Sequence, residues 1–160
     1  MPYSIVTVLL WIAAISSGLM AGVYFAFSGF IMQAFKSIES SHSLAAMNAI
    51  NVTILRSLFM PLFFVSSIVS VLLIVYAIVY WSEANGLMLL AGVIYFIGMF
   101  VCTVVFNVPL NNTLLKLESS SANTAIVWSR YLKVWTAWNH VRTLSSLITF
   151  ILCIWLLCKY

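Results

Sequence analysis

The chain has 160 residues, of which 64% are hydrophobic and 6% charged, with a net charge of +4 at pH 7; an ordinary soluble domain carries roughly 25% charged residues. That inventory, with a mean hydropathy of +1.15, cannot build a water-soluble surface, so the bilayer is the solvent for most of the chain. The basic residues are scattered and form no continuous patch, which argues against nucleic acid as a partner.

The first apolar run extends from Ile5 to Phe35. With no Lys or Arg ahead of it and no small-residue cleavage site behind a short apolar core, it reads as a retained helix rather than a signal peptide. A polar corner follows, and from Ser43 to Arg56 the apolar residues Leu44, Met47, Ile50 and Ile54 recur at helical spacing. The second span runs from Leu58 to Trp81, the short Ser82–Gly86 turn reverses the chain, and the third span runs from Leu87 to Phe106. Asn123 to Trp138 is again amphipathic, with Ile126, Val127, Tyr131, Val134 and Trp138, and Val141 to Cys158 forms the fourth span. The expected fold is all-α: an integral membrane four-helix bundle, one domain over residues 1–160, with amphipathic helical extensions before helices 2 and 4.

Lys36, Arg56, Lys116, Arg130, Lys133 and Arg142 all fall in the two long connections, whereas the other side offers Lys159 and the amino terminus. The positive-inside rule then places the long connections in the cytoplasm and both termini outside. Arg56-Ser57-Leu58 and Arg142-Thr143-Leu144 are matched points of two similar halves, which read either as a parallel internal repeat or as a chance match, three residues being weak evidence.

The costliest polar residues gather at one level, near the cytoplasmic helix ends. In Asn107-Val108-Pro109-Leu110-Asn111-Asn112, Pro109 removes a backbone donor and frees carbonyls that the asparagines can serve; the segment reads either as part of a site or as a helix end capped by amides. On a helix through Trp135–Thr143, Asn139 and Thr143 share a face, with Arg142 on one flank and His140 on the other. Arg142 there faces either the bundle interior or the interface, beside an aromatic belt of Trp128, Tyr131, Trp135 and Trp138. Arg56 repeats the situation at the start of helix 2, and two arginines converging on one pocket would hold an anion, a phenolate or an enolate. The open alternative is that each caps its own helix or meets lipid phosphates.

His140, His42 and Glu39 supply the residue types of a two-histidine, one-carboxylate metal set, but they stand far apart and no His-x-x-His, Glu-x-x-His or Cys-x-x-Cys spacing supports it. No metal is expected, and His42 reads as a solvated loop residue. Cys102, Cys153 and Cys158 lie inside spans without redox or metal spacing and read as packing residues. There is no P-loop, dinucleotide fingerprint or nucleophile elbow. The glycosylation patterns at Asn51 and Asn111 fall on the expected cytoplasmic side and read as chance matches.

Phe106-Asn107-Val108-Pro109-Leu110-Asn111, then Trp128, Tyr131, Trp135 and Trp138-Asn139-His140-Val141-Arg142-Thr143, resemble the anthrone oxygenase-like membrane family, many of whose bacterial members carry only an unknown-function label. Gly22 to Phe35 and Ala45 to Pro61 also look like that family, so the resemblance covers nearly the whole chain. Fungal members oxidise anthrones to anthraquinones without a flavin or haem motif. The resemblance implies a cofactor-independent oxygenase in a bacterial inner membrane, acting on a hydrophobic aromatic or phenolic molecule with dioxygen. By resemblance Asn107, Asn111, Asn139, His140 and Arg142 line the site, with His140, Arg142 and Asn139 as the expected catalytic residues and Asn107 and Asn111 as substrate-binding ones; Arg56, Trp135 and Trp138 join the substrate-binding candidates from their place in the sequence. In that mechanism His140 removes a proton while Arg142 and the asparagines stabilise the anion. The alternative is a non-catalytic membrane protein that binds lipid or a small hydrophobe, or a subunit of a larger complex. A transporter ranks third, since four short spans argue against it unless the chain forms a homo-oligomer.

Overall fold

The computed structural model describes residues 3–117 and 124–159, which are helical throughout apart from short turns. In chain order the helices are α1 (Ile5–Lys36), α2 (Ser40–Ile54), α3 (Phe59–Val79), α4 (Asn85–Leu115) and α5 (Thr124–Leu157), and all but α2 are long and apolar enough to cross a membrane. Their outward faces are apolar as well: Phe64, Ile68, Leu72 and Val75 on α3, and Leu144, Ile148, Ile151 and Trp155 on α5, are exposed at spacings of three and four residues. Side chains of this kind turned outward on both elements require hydrocarbon as the surrounding medium, and the chain is an integral membrane protein.

The four long helices form a closed ring in which α1 packs along α5 and against α3, while α4 packs against α3 and α5. At the end of the ring carrying the α3–α4 turn, the core is aliphatic, with Leu10, Leu73, Met88 and Leu156 buried. Small residues bring the helices close. A methyl group on Gly98 would run into the Ser145 side chain, and one on Gly92 would meet Ile74 at 2.7 Å and the Ser70 carbonyl at 2.8 Å. Buried hydroxyls return their hydrogen bonds to the backbone, as Ser17 does to the Ala13 carbonyl (2.6 Å), and Thr149 donates across to the Ala91 carbonyl of α4 (3.1 Å). At the opposite end, α2 covers a second core of Met32, Leu44, Met47, Leu114, Trp128, Tyr131 and Trp135.

Two expected helix boundaries need correction, and one expected extension is found. The third span does not end at Asn107–Asn112: α4 runs on to Leu115 through Pro109. The ring of Pro109 would clash with the carbonyl four residues earlier in a regular helix, and the preceding turns are widened into π-helical geometry at Phe96–Val101 and Thr103–Asn107, which absorbs the missing bond. The amphipathic stretch before the fourth span is continuous with it in α5, although Asn123, where it was expected to open, lies outside the described residues. The stretch before the second span is instead a separate helix. Ser57 ends α2 by donating to the Ile54 carbonyl (2.8 Å) and opens α3 by accepting the Phe59 N–H (3.2 Å). The two Arg-Ser/Thr-Leu points thus fall in different settings, one a turn and one mid-helix, and the structure shows no equivalence between them.

The outward faces change from apolar to polar at a common level: on α1 between Phe30 and Gln33, on α4 between Val108 and Asn112, and on α5 between Val141 and His140. Lys36, Arg56, Lys116, Arg130 and Lys133 are all exposed beyond that level, and Lys159 lies at the other end.

Candidate functional site

Just inside this level is a cavity of about 360 Å³, within the roughly 300–1,000 Å³ of small-molecule sites. Every helix contributes to its wall: Tyr24 and Phe27 from α1, Met47, Ile50 and Asn51 from α2, Phe59 and Phe63 from α3, Phe100, Thr103 and Asn111 from α4, and Trp135 and Arg142 from α5. The lining is mostly apolar and aromatic, with a few polar groups.

Arg142 is the decisive member. Its side chain is 4% exposed, and its guanidinium carbon lies 4.3 Å from the centroid of the Tyr24 ring and 4.9 Å from that of Trp135. At these distances from two aromatic rings the charge gains cation–π attraction. Nη2 donates to Asn139 Oδ1 at 2.6 Å, Nε has no hydrogen-bond partner, and among the described residues no carboxylate pairs with the group. A buried charge in that condition is costly unless an anion or an acceptor completes it.

Asn139, fully buried, holds the arginine in place. Its Nδ2 donates to the Tyr24 carbonyl (2.7 Å) and to Ser28 Oγ (2.6 Å), so its oxygen is turned toward Arg142. Ser28 in turn meets Thr143 Oγ1 at 3.2 Å, and Thr143 donates to the Asn139 carbonyl at 2.9 Å. The turn of α1 that bears Ser28 is π-helical, from Phe27 to Ile31, and such turns are frequent at functional sites. On the far wall Asn111 Oδ1 accepts from both Tyr131 Oη and Trp135 Nε1, each at 2.8 Å, which locks the Trp135 ring under the guanidinium. Asn51, 8% exposed, lines the cavity with Nδ2 unpartnered, giving two buried donors without acceptors around one space.

Of the residues nominated from sequence, Asn111, Trp135 and Arg142 line the cavity and Asn139 supports it directly. Asn107 is buried behind Trp135, whose carbonyl it reaches at 3.3 Å. Trp138 is stacked on Phe106 at 3.6 Å, away from the cavity. His140 does not line the cavity: successive helical residues turn by about 100°, and it is exposed in a separate groove with Lys36 and Lys133. Arg56 is likewise exposed, in the turn after α2, and does not converge on the cavity. His42 lies 4.0 Å from Glu39 with both side chains solvent-exposed, and among the described residues no three His, Cys, Asp or Glu side chains are grouped to hold a metal ion. Sequence reasoning missed Tyr24, Ser28 and Thr103. The only local signal was Tyr24 and Ser28 standing four apart on one face of α1.

The fold and this site define a membrane protein with a mainly apolar cavity, partly aromatic in its lining, that holds a buried cation with no carboxylate partner among the described residues. A profile of the anthrone oxygenase family matches residues 51–152, and the chain belongs to that family. The match takes in Asn51, Asn111, Trp135, Asn139 and Arg142, whereas Tyr24 and Ser28 lie before it. No curated protein matches the chain. No solved structure matches it either.

Proposed function

We propose that this protein oxygenates a hydrophobic, polycyclic phenol or ketone of the anthrone type, converting a benzylic methylene to a ketone at the expense of dioxygen. The single observation that carries the reading is Arg142, a buried guanidinium over two aromatic rings with no carboxylate beside it among the described residues. An enolate or phenolate oxygen supplies the missing negative charge, and the Asn51 amide offers a second donor to the same ring system. The methylene loses a proton to water at the cavity corner marked by the exposed Asn112. The electron-rich carbon then reduces dioxygen: a C–O bond forms, the O–O bond breaks, one oxygen remains as the ketone and the other leaves as water with the two methylene hydrogens. Arg142 acts by stabilising charge that grows during this step.

His140 is left out of this mechanism because of its position. A hydrophobe-binding protein without catalysis is the second reading, favoured by the absence of any imidazole or carboxylate among the described residues lining the cavity. The basic, polar end of the ring is proposed to face the cytoplasm of a bacterial inner membrane, with both termini outside.

Oxygen uptake with 1,8-dihydroxyanthrone tests the proposal, at matched membrane expression and thermal stability. Arg142→Lys lacks the planar fork, and losing one transition-state donor typically costs about 2.7–4 kcal/mol, a rate loss of roughly 10²–10³; His140→Ala is expected to keep the wild-type rate. Equal rates for wild type and Arg142→Lys would sink the catalytic assignment. Tight anthrone binding by a wild type that consumes no oxygen would favour the second reading.

A further inference from the structure

The walls of the cavity are not closed everywhere, and the position of the gap identifies the side from which a ligand arrives. Helices α3 and α4 pack together from the turn at Ser82 down to Val101, but along Thr103–Leu115 α4 packs on α2 and α5 rather than on α3. Phe63 and Phe100, with ring centroids 5.3 Å apart, bridge the two helices at the top of this divergence. Beside the bridge Phe64 (49% exposed), and below it Val104 (48%) and Val108 (40%), line the cavity and also belong to the outer surface. They are continuous with the lipid-facing stripes: Phe64 leads to Ile68 and Leu72 on α3, and Val104 to Ile97 and Leu90 on α4. The polar end is covered instead by α2, whose Met47, Ile50 and Asn51 form the floor.

We infer that the cavity opens sideways into the bilayer between α3 and α4, and that its substrate is drawn from the hydrocarbon rather than from the cytoplasm. The inference rests on reading the cavity as a ligand site, and it narrows the substrate class. A molecule passing between Phe64 and Val104 must be neutral in transit, because a free charge is expelled from hydrocarbon. It must also carry an acceptor oxygen at its leading end, where Arg142 Nε and Asn51 Nδ2 wait unpartnered. Asn112, exposed at the lower corner of the gap, lies where the α4 surface turns polar, so a trailing polar substituent can remain at the interface.

Thiol labelling in proteoliposomes tests the passage without knowledge of the substrate. The three native cysteines are replaced by alanine, and Thr103→Cys, a near-isosteric change inside the cavity, becomes the reporter. Apolar N-phenylmaleimide is expected to label it, and a sulfonate-bearing methanethiosulfonate is not, although the latter labels Ile38→Cys on the exposed corner. Val104→Trp on one lip, or Met60→Trp on the other, is expected to slow maleimide labelling about tenfold, equivalent to some 1.4 kcal/mol added to the passage barrier. Unchanged labelling in both correctly folded tryptophan variants, or rapid labelling by the sulfonate, overturns the lateral opening. Equilibrium binding of 1,8-dihydroxyanthrone to the wild type is measured alongside. Failure to bind while the tryptophans still protect Thr103→Cys removes the anthrone and upholds the opening; binding with no protection removes the opening and upholds the site.

Discussion

At the scale of single residues the site depends on one hydrogen-bonded pair, Asn139 with Arg142, three residues apart on α5 at 2.6 Å. Deleting one partner leaves the other buried and unsatisfied, at a typical cost of about 1–3 kcal/mol, whereas replacing both by apolar groups is often nearly neutral. Asn139→Leu and Arg142→Met are therefore each expected to lower the midpoint of thermal unfolding in detergent, and the double variant to lose less than the sum, with a coupling of about 1 kcal/mol or more. Strict additivity would show that the pair is not a unit. The pair was legible in sequence because spacings of three and four residues share a helical face. His140 was misplaced because it was read with its neighbours, and one position along a helix is enough to turn a side chain out of the cavity. Tyr24 and Ser28 are hard to read from sequence, since their four-residue spacing in an apolar run is the one local mark and their partner Asn139 stands more than 100 positions later.

At the scale of elements, spans of about 20 apolar residues announced four membrane helices directly, but their ends depended on tertiary context. Pro109 looked like a stop, and the widened turns that carry α4 past it leave no local sign in sequence. Arg56 was read by likeness to Arg142, although Ser57 breaks the chain into two helices there. The contact of α4 with α5 at Gly98 gives an element-scale prediction. Gly98→Ala forces Ser145 aside and is expected to cost about 1–3 kcal/mol, seen as a lowered unfolding midpoint, with partial recovery in the Ser145→Gly background. Gly22, where an added methyl meets nothing within 4 Å, is the control: Gly22→Ala should leave stability unchanged or slightly higher. Similar losses at both positions would mean that helix propensity and not the close approach governs the response.

At the scale of the whole molecule, five exposed basic side chains, Lys36, Arg56, Lys116, Arg130 and Lys133, mark one end of the ring. Their asymmetry predicts that reporters fused at Tyr160 are active only outside the cytoplasm, and that thiols introduced at Ile38 are reached only from within. A fusion at Tyr160 active in the cytoplasm would reverse the orientation. The position of Arg142 at the border of the apolar zone also bears on how the protein is made. As α5 leaves the ribosome, after the other three spans, its arginine is close enough to the interface for the side chain to reach headgroups, so membrane insertion need not carry a charge into hydrocarbon. Asn139 reaches Tyr24 and Ser28 only where α5 lies along α1, so the place of the guanidinium against the two rings exists only with those helices docked. The charged pocket is thus a product of helix docking and belongs to no single span.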